Sequence, residues 1–159
     1  MLEMKLMLLL MVANGAPILI RWLLEGRATR SVDGGLLLAD GQPLFGASKT
    51  LIGLSASLVA TSFVAWLIGW SPLTGCYFAI LAMAGDLLAS FIKRRLAIPP
   101  SGMAPGLDQI PESLIPLLGV RGIFDLGWIQ ILVLVLLFLA LDYILSFFLY
   151  LLHIRKHPY

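Results

Sequence analysis

Asp86, Ser90 and Lys93 stand at i, i+4 and i+7 in GDLLASFIKRR, an otherwise apolar stretch. On a helix that spacing puts all three on one face. Seven residues at 1.5 Å each separate Asp86 from Lys93 by about 10 Å along the axis. That is too far for a direct ion pair and suits opposite ends of a polyphosphate–metal assembly. A carboxylate inside a membrane is expensive unless it faces protein or water, so Asp86 is a functional candidate. Lys93, Arg94 and Arg95 close the segment. The same pattern also fits a structural polar cluster whose long cations snorkel to the interface.

The loop that follows, LAIPPSGMAPGLDQIPES, carries Pro99, Pro100, Pro105 and Pro111 with Gly102 and Gly106. This composition fixes a turn-rich path rather than a flexible linker. It ends in Asp108, with Glu112 four residues on, one helical turn away. With Asp86 these acids make three candidate ligands for a hard cation such as Mg²⁺, commonly held by one or two carboxylates plus phosphate oxygens. Asp108 followed by an early proline is equally good N-capping chemistry.

An earlier polar stretch reads ADGQPLFGASKT. Asp40-Gly41 is a tight turn, and Gly46, Ser48 and Lys49 precede an apolar run. Small residues followed by Ser and Lys at a helix N-terminus suit a phosphate, through free N–H groups and the helix dipole. The Walker spacing is absent, and Ser48 is also a plain N-cap candidate. Asn14, Pro17 and Arg21 align in the first apolar run, where a proline frees a backbone carbonyl and either kinks the span or lines a cavity. Asp142, with Ser146 a turn later, must face protein, with no partner evident from sequence. His153 and His157 read as interfacial residues, and Cys76 as a small packing residue.

These groups are embedded in 159 residues that are 60% hydrophobic and 13% charged, about half the charge of an ordinary soluble domain. Mean hydropathy is +0.97. The class expected is an all-α polytopic membrane bundle. A net charge of +2 gives no case for nucleic acid, and one cysteine excludes an internal disulfide. Apolar runs place spans near 4–24, 49–70, 74–93 and 127–153. The first is read as retained, since Glu3 and Arg21 depart from a signal peptide. Residues 109–121 read as a short or tilted further span, or a re-entrant piece. Five spans put the N-terminus outside and the C-terminus in the cytoplasm. Arg21, Arg27, Arg30, Lys49, Lys93, Arg94, Arg95, Arg155 and Lys156 then lie inside, against Lys5 and Arg121 outside, as the positive-inside rule requires.

GDLLASFIKRR with PPSGMAPGLDQIPES resembles the CDP-archaeol synthase family, itself related to the CDP-diacylglycerol synthases. ADGQPLFGASKT and the NGAP of the first span fit the same family, so the likeness covers nearly the whole chain. The wider diacylglycerol group has S-x-x-K-R, then H-G-G and D-R-x-D. Ser90, Lys93 and Arg94 match its start, Ala104-Pro105-Gly106 replaces its H-G-G, and the second acid falls at Glu112. The resemblance implies one transmembrane cytidylyltransferase domain over 1–159, with Mg²⁺-dependent transfer from CTP to a membrane lipid phosphate, releasing pyrophosphate. It implies a multi-pass protein of the cell membrane, its active site facing the cytoplasm. The implied partners are CTP, the lipid phosphate and the bilayer, with a homodimer as one form of the assembly. Asp86, Asp108 and Glu112 would serve the metal. Asp86, Lys93 and Asp108 would be catalytic, and Asp40, Gly46, Ser48, Lys49, Ser90 and Arg94 would hold the nucleotide.

A CDP-alcohol phosphotransferase would need an acid-rich DGxxAR helix, whereas Asp40-Gly41 runs into Gln-Pro. The non-enzymatic rival is a small transporter or channel subunit. It accounts for the intramembrane acids Asp86 and Asp142 and leaves the polar loops idle.

Overall fold

The computed structural model describes residues 1–24, 30–99, 102 and 104–151. Arg27, Pro100, His153, Arg155, Lys156 and His157 lie outside them. Six helices form the described chain: α1 (Leu2–Leu23), α2 (Leu51–Leu67), α3 (Pro72–Arg95), α4 (Gln109–Gly119), α5 (Arg121–Phe124) and α6 (Trp128–Leu151). The loop before α2 adds two isolated bridges, Ser31 with Thr50 and Leu37 with Pro43.

Three helices, α1, α3 and the Trp128–Phe148 part of α6, are long and apolar enough to cross a membrane. The 17 residues of α2 reach about 26 Å, slightly less than the hydrocarbon core. The 11 residues of α4 reach only about 16 Å. Contacts at the helix ends fix the chain's course. Lys5 Nζ donates to the Ile68 carbonyl at 2.8 Å and Gln130 Nε2 to Glu3 Oε1 at 3.1 Å, gathering the start of α1, the end of α2 and the start of α6. Phe124 stacks on Trp70 there, centroids 4.4 Å apart. At the other end Lys93 meets Asp108. Phe124 at the end of α5 thus lies at the first of these ends, and the approach to α4 at the other.

Packing is apolar on both sides of each helix. Leu6, Leu9, Leu10, Phe78, Leu117, Leu134 and Phe138 are fully or almost fully buried in one core. Val59, Phe63, Trp66, Leu73, Ile129 and Leu136 stay more than half exposed. Apolar surface on that scale fits a lipid surround rather than water. Trp70 and Trp128, with Lys5 and Arg121 against their rings, mark one end as an interfacial belt.

Helix register is set by small residues and by one proline. Pro17 has no N–H, so the carbonyl four residues back, that of Ala13, loses its helical donor. The hydroxyl of Ser57 on α2 donates to it at 2.7 Å, fully buried, while Pro17 packs against Gly53. The sequence expects a freed carbonyl at this kink, and the structure supplies its partner. Gly85 lets α3 approach α4 so closely that a Cβ would collide with the Pro111 carbonyl. Pro111 sits in the first turn of α4, where its missing N–H costs nothing. The cationic end of α3 closes as a Schellman motif: Ile98 N–H reaches the Lys93 carbonyl at 3.0 Å and Ala97 N–H the Arg94 carbonyl at 3.1 Å. Ala97 takes the left-handed position at φ 56° that glycine usually fills.

Two substitutions test this packing by thermal unfolding in detergent. Ser57→Ala should lose about 1–3 kcal/mol, the cost of an unsatisfied buried carbonyl. Gly85→Ala should unfold at a lower temperature than wild type, because its Cβ would meet the α4 backbone at Pro111 and Glu112. Wild-type midpoints for both would contradict the assigned contacts.

Candidate functional site

The polar residues concentrate where α3 ends, α2 begins and α4 begins. Thr50 starts α2 by accepting the Gly53 N–H on its hydroxyl at 3.2 Å, so the cap is Thr50 and not Ser48. Ser48 is half-buried two residues earlier. The step leaves Lys49 at the mouth of the bundle, where its Nζ donates to Asp86 Oδ1 at 2.5 Å. Both side chains are about one-fifth exposed, at 21% and 22%. About two turns further along α3, Lys93 Nζ donates to both oxygens of Asp108, at 2.8 and 3.1 Å. Asp86 and Lys93 thus share a face and bind different partners, as their separation requires. Ser90 lies buried between them.

Asp108 occupies the N-cap position of α4 without capping it. Its carboxylate accepts from Lys93 and, at 3.3 Å, from the Ala104 N–H. Glu112 is buried one turn on, within electrostatic reach of Asp86, Asp142, Lys49 and Asp108. Asp142, whose partner sequence could not supply, accepts from Gln109 Nε2 at 2.9 Å. Gln109 Oε1 in turn accepts the Gly106 N–H at 3.0 Å, tying α6 to the start of α4. Arg94 is 2% exposed. Its Nε and Nη1 are buried and find no hydrogen-bond partner among the described residues. Asp108 is the carboxylate acting on it through space.

The loop 30–50 is built around Asp33, which the sequence reading passed over. Asp33 Oδ2 accepts the N–H groups of Phe45 and Gly46 at 2.9 and 2.8 Å, and Oδ1 that of Gly35 at 3.0 Å. Gly46 takes φ 93°, a value open to glycine. Its N–H, expected to be free for a phosphate, is therefore occupied by an internal carboxylate. Asp40 is likewise engaged: Oδ1 accepts the Gln42 N–H at 3.1 Å and Oδ2 accepts from Arg95 at 2.6 Å. The signal for Asp33 was present in sequence, as an Asp-Gly-Gly turn ahead of a second glycine turn.

Asn14 donates to the Leu10 carbonyl at 3.0 Å, and its Oδ1 is buried without a donor among the described residues. The groove it lines lies between α1 and α6, with Phe138 and Asp142 opposite.

Among the described residues no three His, Cys, Asp or Glu side chains gather as a ready-made metal cluster. The donor set is nonetheless all oxygen, as a hard cation demands. Asp86 and Asp108 are held by Lys49 and Lys93 instead of by each other. Such an arrangement fits Mg²⁺ bound through one or two carboxylates and completed by substrate phosphate, and does not fit an all-protein cage.

The fold and this site define a multi-pass membrane protein with a charged, partly buried site at one end of its helix bundle. The family model for CarS-like proteins, CDP-archaeol synthase, matches residues 68–159. The chain is 34% identical over 155 residues to the CDP-archaeol synthase of Saccharolobus solfataricus, covering 93% of this chain and 89% of that one. It is 37% identical over 106 residues to the CDP-archaeol synthase of Hyperthermus butylicus, covering 63% of this chain. With that of Aeropyrum pernix it shares 40% over 111 residues, covering 66% of this chain. The last two matches span 60% of the length of each relative. A solved structure described as an intramembrane enzyme for archaeal membrane lipid biosynthesis superposes with a TM-score of 0.73. It is 32% identical, covering 87% of this chain and 88% of that one. The chain belongs to the CDP-archaeol synthase family.

The Asp33 carboxylate gives a pH test. Burial raises its pKa, and the N–H groups of Gly46, Phe45 and Gly35 with the Ser31 hydroxyl outweigh that, leaving it at about 2 against an ordinary 3.8. A depressed carboxylate stabilises the loop fully above its unfolded value and loses that effect as pH falls through about 2. Exchange of the Phe45 and Gly46 amides, corrected for intrinsic rate, should accelerate only below pH about 4 in the wild type. In Asp33→Asn it should be fast already at neutral pH. Identical profiles would remove Asp33 from this role.

Proposed function

We propose that the chain transfers the cytidylyl group of CTP to a membrane lipid phosphate, of the unsaturated archaetidic acid or phosphatidate type, forming a CDP-lipid and pyrophosphate. The observation that carries this reading is Arg94, a buried guanidinium beside Lys93 and Asp108 whose Nε and Nη1 find no acceptor among the described residues. A buried cation lacking hydrogen-bond partners is costly, and a phosphate oxygen is the acceptor that matches it. Family membership supports the same reading.

In the proposed reaction a phosphomonoester oxygen of the lipid attacks the α-phosphorus of CTP. The new oxygen–phosphorus bond forms as the bond to the β-phosphate bridge breaks, and pyrophosphate leaves with that electron pair. The nucleophile is already anionic near neutral pH, so no general base is required. The protein's task is to bring two polyanions together and hold them in line. Lys49, Lys93 and Arg94 would neutralise and orient phosphates, with Ser90 beneath them. Mg²⁺ bound by Asp86 and Asp108, with Glu112 as the third candidate, would supply further charge neutralisation on the triphosphate. As phosphate engages Lys49 and Lys93, the carboxylates they hold become available as ligands. The ion pairs are a resting arrangement in this account.

The site end is proposed to face the cytoplasm, where CTP is found, in a cell membrane crossed five times by a single domain. Among the described residues Arg21, Arg30, Lys49, Lys93, Arg94 and Arg95 belong to that end and Lys5 and Arg121 to the other, the bias the positive-inside rule asks for. The lipid would enter between helices with its chains left in the bilayer.

Purified protein given labelled CTP, Mg²⁺ and a phosphatidate or archaetidate lipid should form CDP-lipid. Absence of product with every such acceptor would favour a transporter subunit. Asp86→Asn should abolish turnover while the protein still unfolds cooperatively in detergent. An unchanged rate would take Asp86 out of the metal site. Lys93→Ala should raise the KM for CTP or lipid by about tenfold or more, the scale of a lost charge-assisted contact. Wild-type kinetics would return Lys93 to a structural role.

A further inference from the structure

Arg95 is the third cation of the cluster, and its surroundings differ from those of its two neighbours. Consecutive residues on a helix point about 100° apart, so Arg94 and Arg95 cannot serve one ligand in the same way. Arg94 has its Nε and Nη1 buried without a partner among the described residues, and Arg95 its Nε, but the two Nη atoms of Arg95 reach out of the bundle to the loop. Its Nη1 donates to Asp40 Oδ2 at 2.6 Å, and its Nη2 donates to the carbonyls of Pro43 and Gln42 at 2.7 and 3.3 Å. Its guanidinium carbon lies 5.3 Å from the centroid of the Phe91 ring one turn back, within cation–π range.

Among the described residues, four side-chain hydrogen bonds join this loop to α3. Arg95 makes three of them, and the fourth is Lys49 to Asp86. Its other bonds are internal, through Asp33 and the Leu38–Gln42 and Leu44–Leu36 backbone bonds, or run to the start of α2, where the Arg30 carbonyl accepts the Leu51 N–H at 3.0 Å. Once a phosphate draws Lys49 away from Asp86, the side-chain hydrogen bonds left between the loop and α3 among the described residues are those of Arg95.

We propose that Arg95 is a positioning residue that pins the 30–50 loop to the end of α3 and so keeps Lys49 presented to the nucleotide. The assignment rests on the nucleotide-binding reading of the site. Arg95 touches neither substrate nor metal in this role. It also gives Asp40 a function as the clamp's anionic partner, in place of a contact to the nucleotide. Because the clamp matters most when Lys49 is engaged by phosphate, its loss weakens nucleotide binding more than it slows the chemical step. A lysine at 95 would retain the charge and lose the planar fork that holds one carboxylate and two carbonyls together.

The test combines backbone exchange with steady-state kinetics on full-length protein in detergent. In Arg95→Ala the amides of Leu38, Leu44, Phe45 and Gly46 should exchange faster than in wild type. The KM for CTP should rise about tenfold, the scale of a lost charge-assisted hydrogen-bond pair. The KM for lipid should stay as it was and kcat should fall less than the KM rises. Arg95→Lys should lie between the two in both readouts. A merely structural arginine would lower the thermal midpoint and the active fraction, leaving both KM values unchanged, and that result overturns the proposal. So does unchanged loop exchange in Arg95→Ala. A wild-type protein that forms no CDP-lipid would instead overturn the reading of the site, and the exchange data alone would then decide whether the clamp exists.

Discussion

Charge is costly inside a helix bundle surrounded by hydrocarbon, and the architecture of this protein follows from how that cost is met. Asp86 and Asp108 each bind a lysine from a different segment, Lys49 and Lys93. Asp142 accepts from Gln109, and Asp40 from Arg95. Each pairing joins two elements that are distant in sequence. The ion pairs are therefore also the contacts that bring the first polar loop, α3 and the start of α4 to one place.

Against this background Arg94 stands apart. The residue is 2% exposed, yet two of its nitrogens lack acceptors among the described residues. Fully satisfied buried polar groups are the rule in folded proteins, and an exception calls for a ligand, a water or a mechanism. A site that leaves a cation under-used beside two exchangeable ion pairs is preorganised for a polyanion. Phosphate would complete Arg94 while displacing Lys49 and Lys93 from their acids, and the freed acids suit a hard metal ion that travels with the nucleotide.

Sequence carried the local half of this. Helical spacing placed Asp86, Ser90 and Lys93 on one face, and their separation correctly ruled out a mutual ion pair. Apolar run lengths gave the long helices, and Pro17 announced a freed carbonyl. What sequence could not give was register between helices. Nothing in the spacing links Ser57 to Ala13, Lys49 to Asp86 or Gln109 to Asp142, because such contacts depend on how far helices slide at glycines such as Gly53 and Gly85. The stretch 109–121 was ambiguous for a physical reason. Its 11-residue helix is too short to cross a bilayer alone, and a separate short turn of helix follows it at 121–124. Asp40 and Gly46 looked ligand-ready because turn chemistry and phosphate chemistry use the same residues. In the folded loop Arg95 and Asp33 already occupy them.

The central claim is that the charged end of α3 is built to receive a triphosphate. Calorimetric titration of CTP with Mg²⁺ into purified wild type and Arg94→Gln, both shown to unfold cooperatively, addresses it most directly. The account predicts saturable binding to the wild type and an affinity at least about tenfold lower for the variant, the scale of a charge-assisted contact. Equal affinities would contradict it, since a guanidinium that phosphate does not need would have no reason to remain buried and unsatisfied at that position.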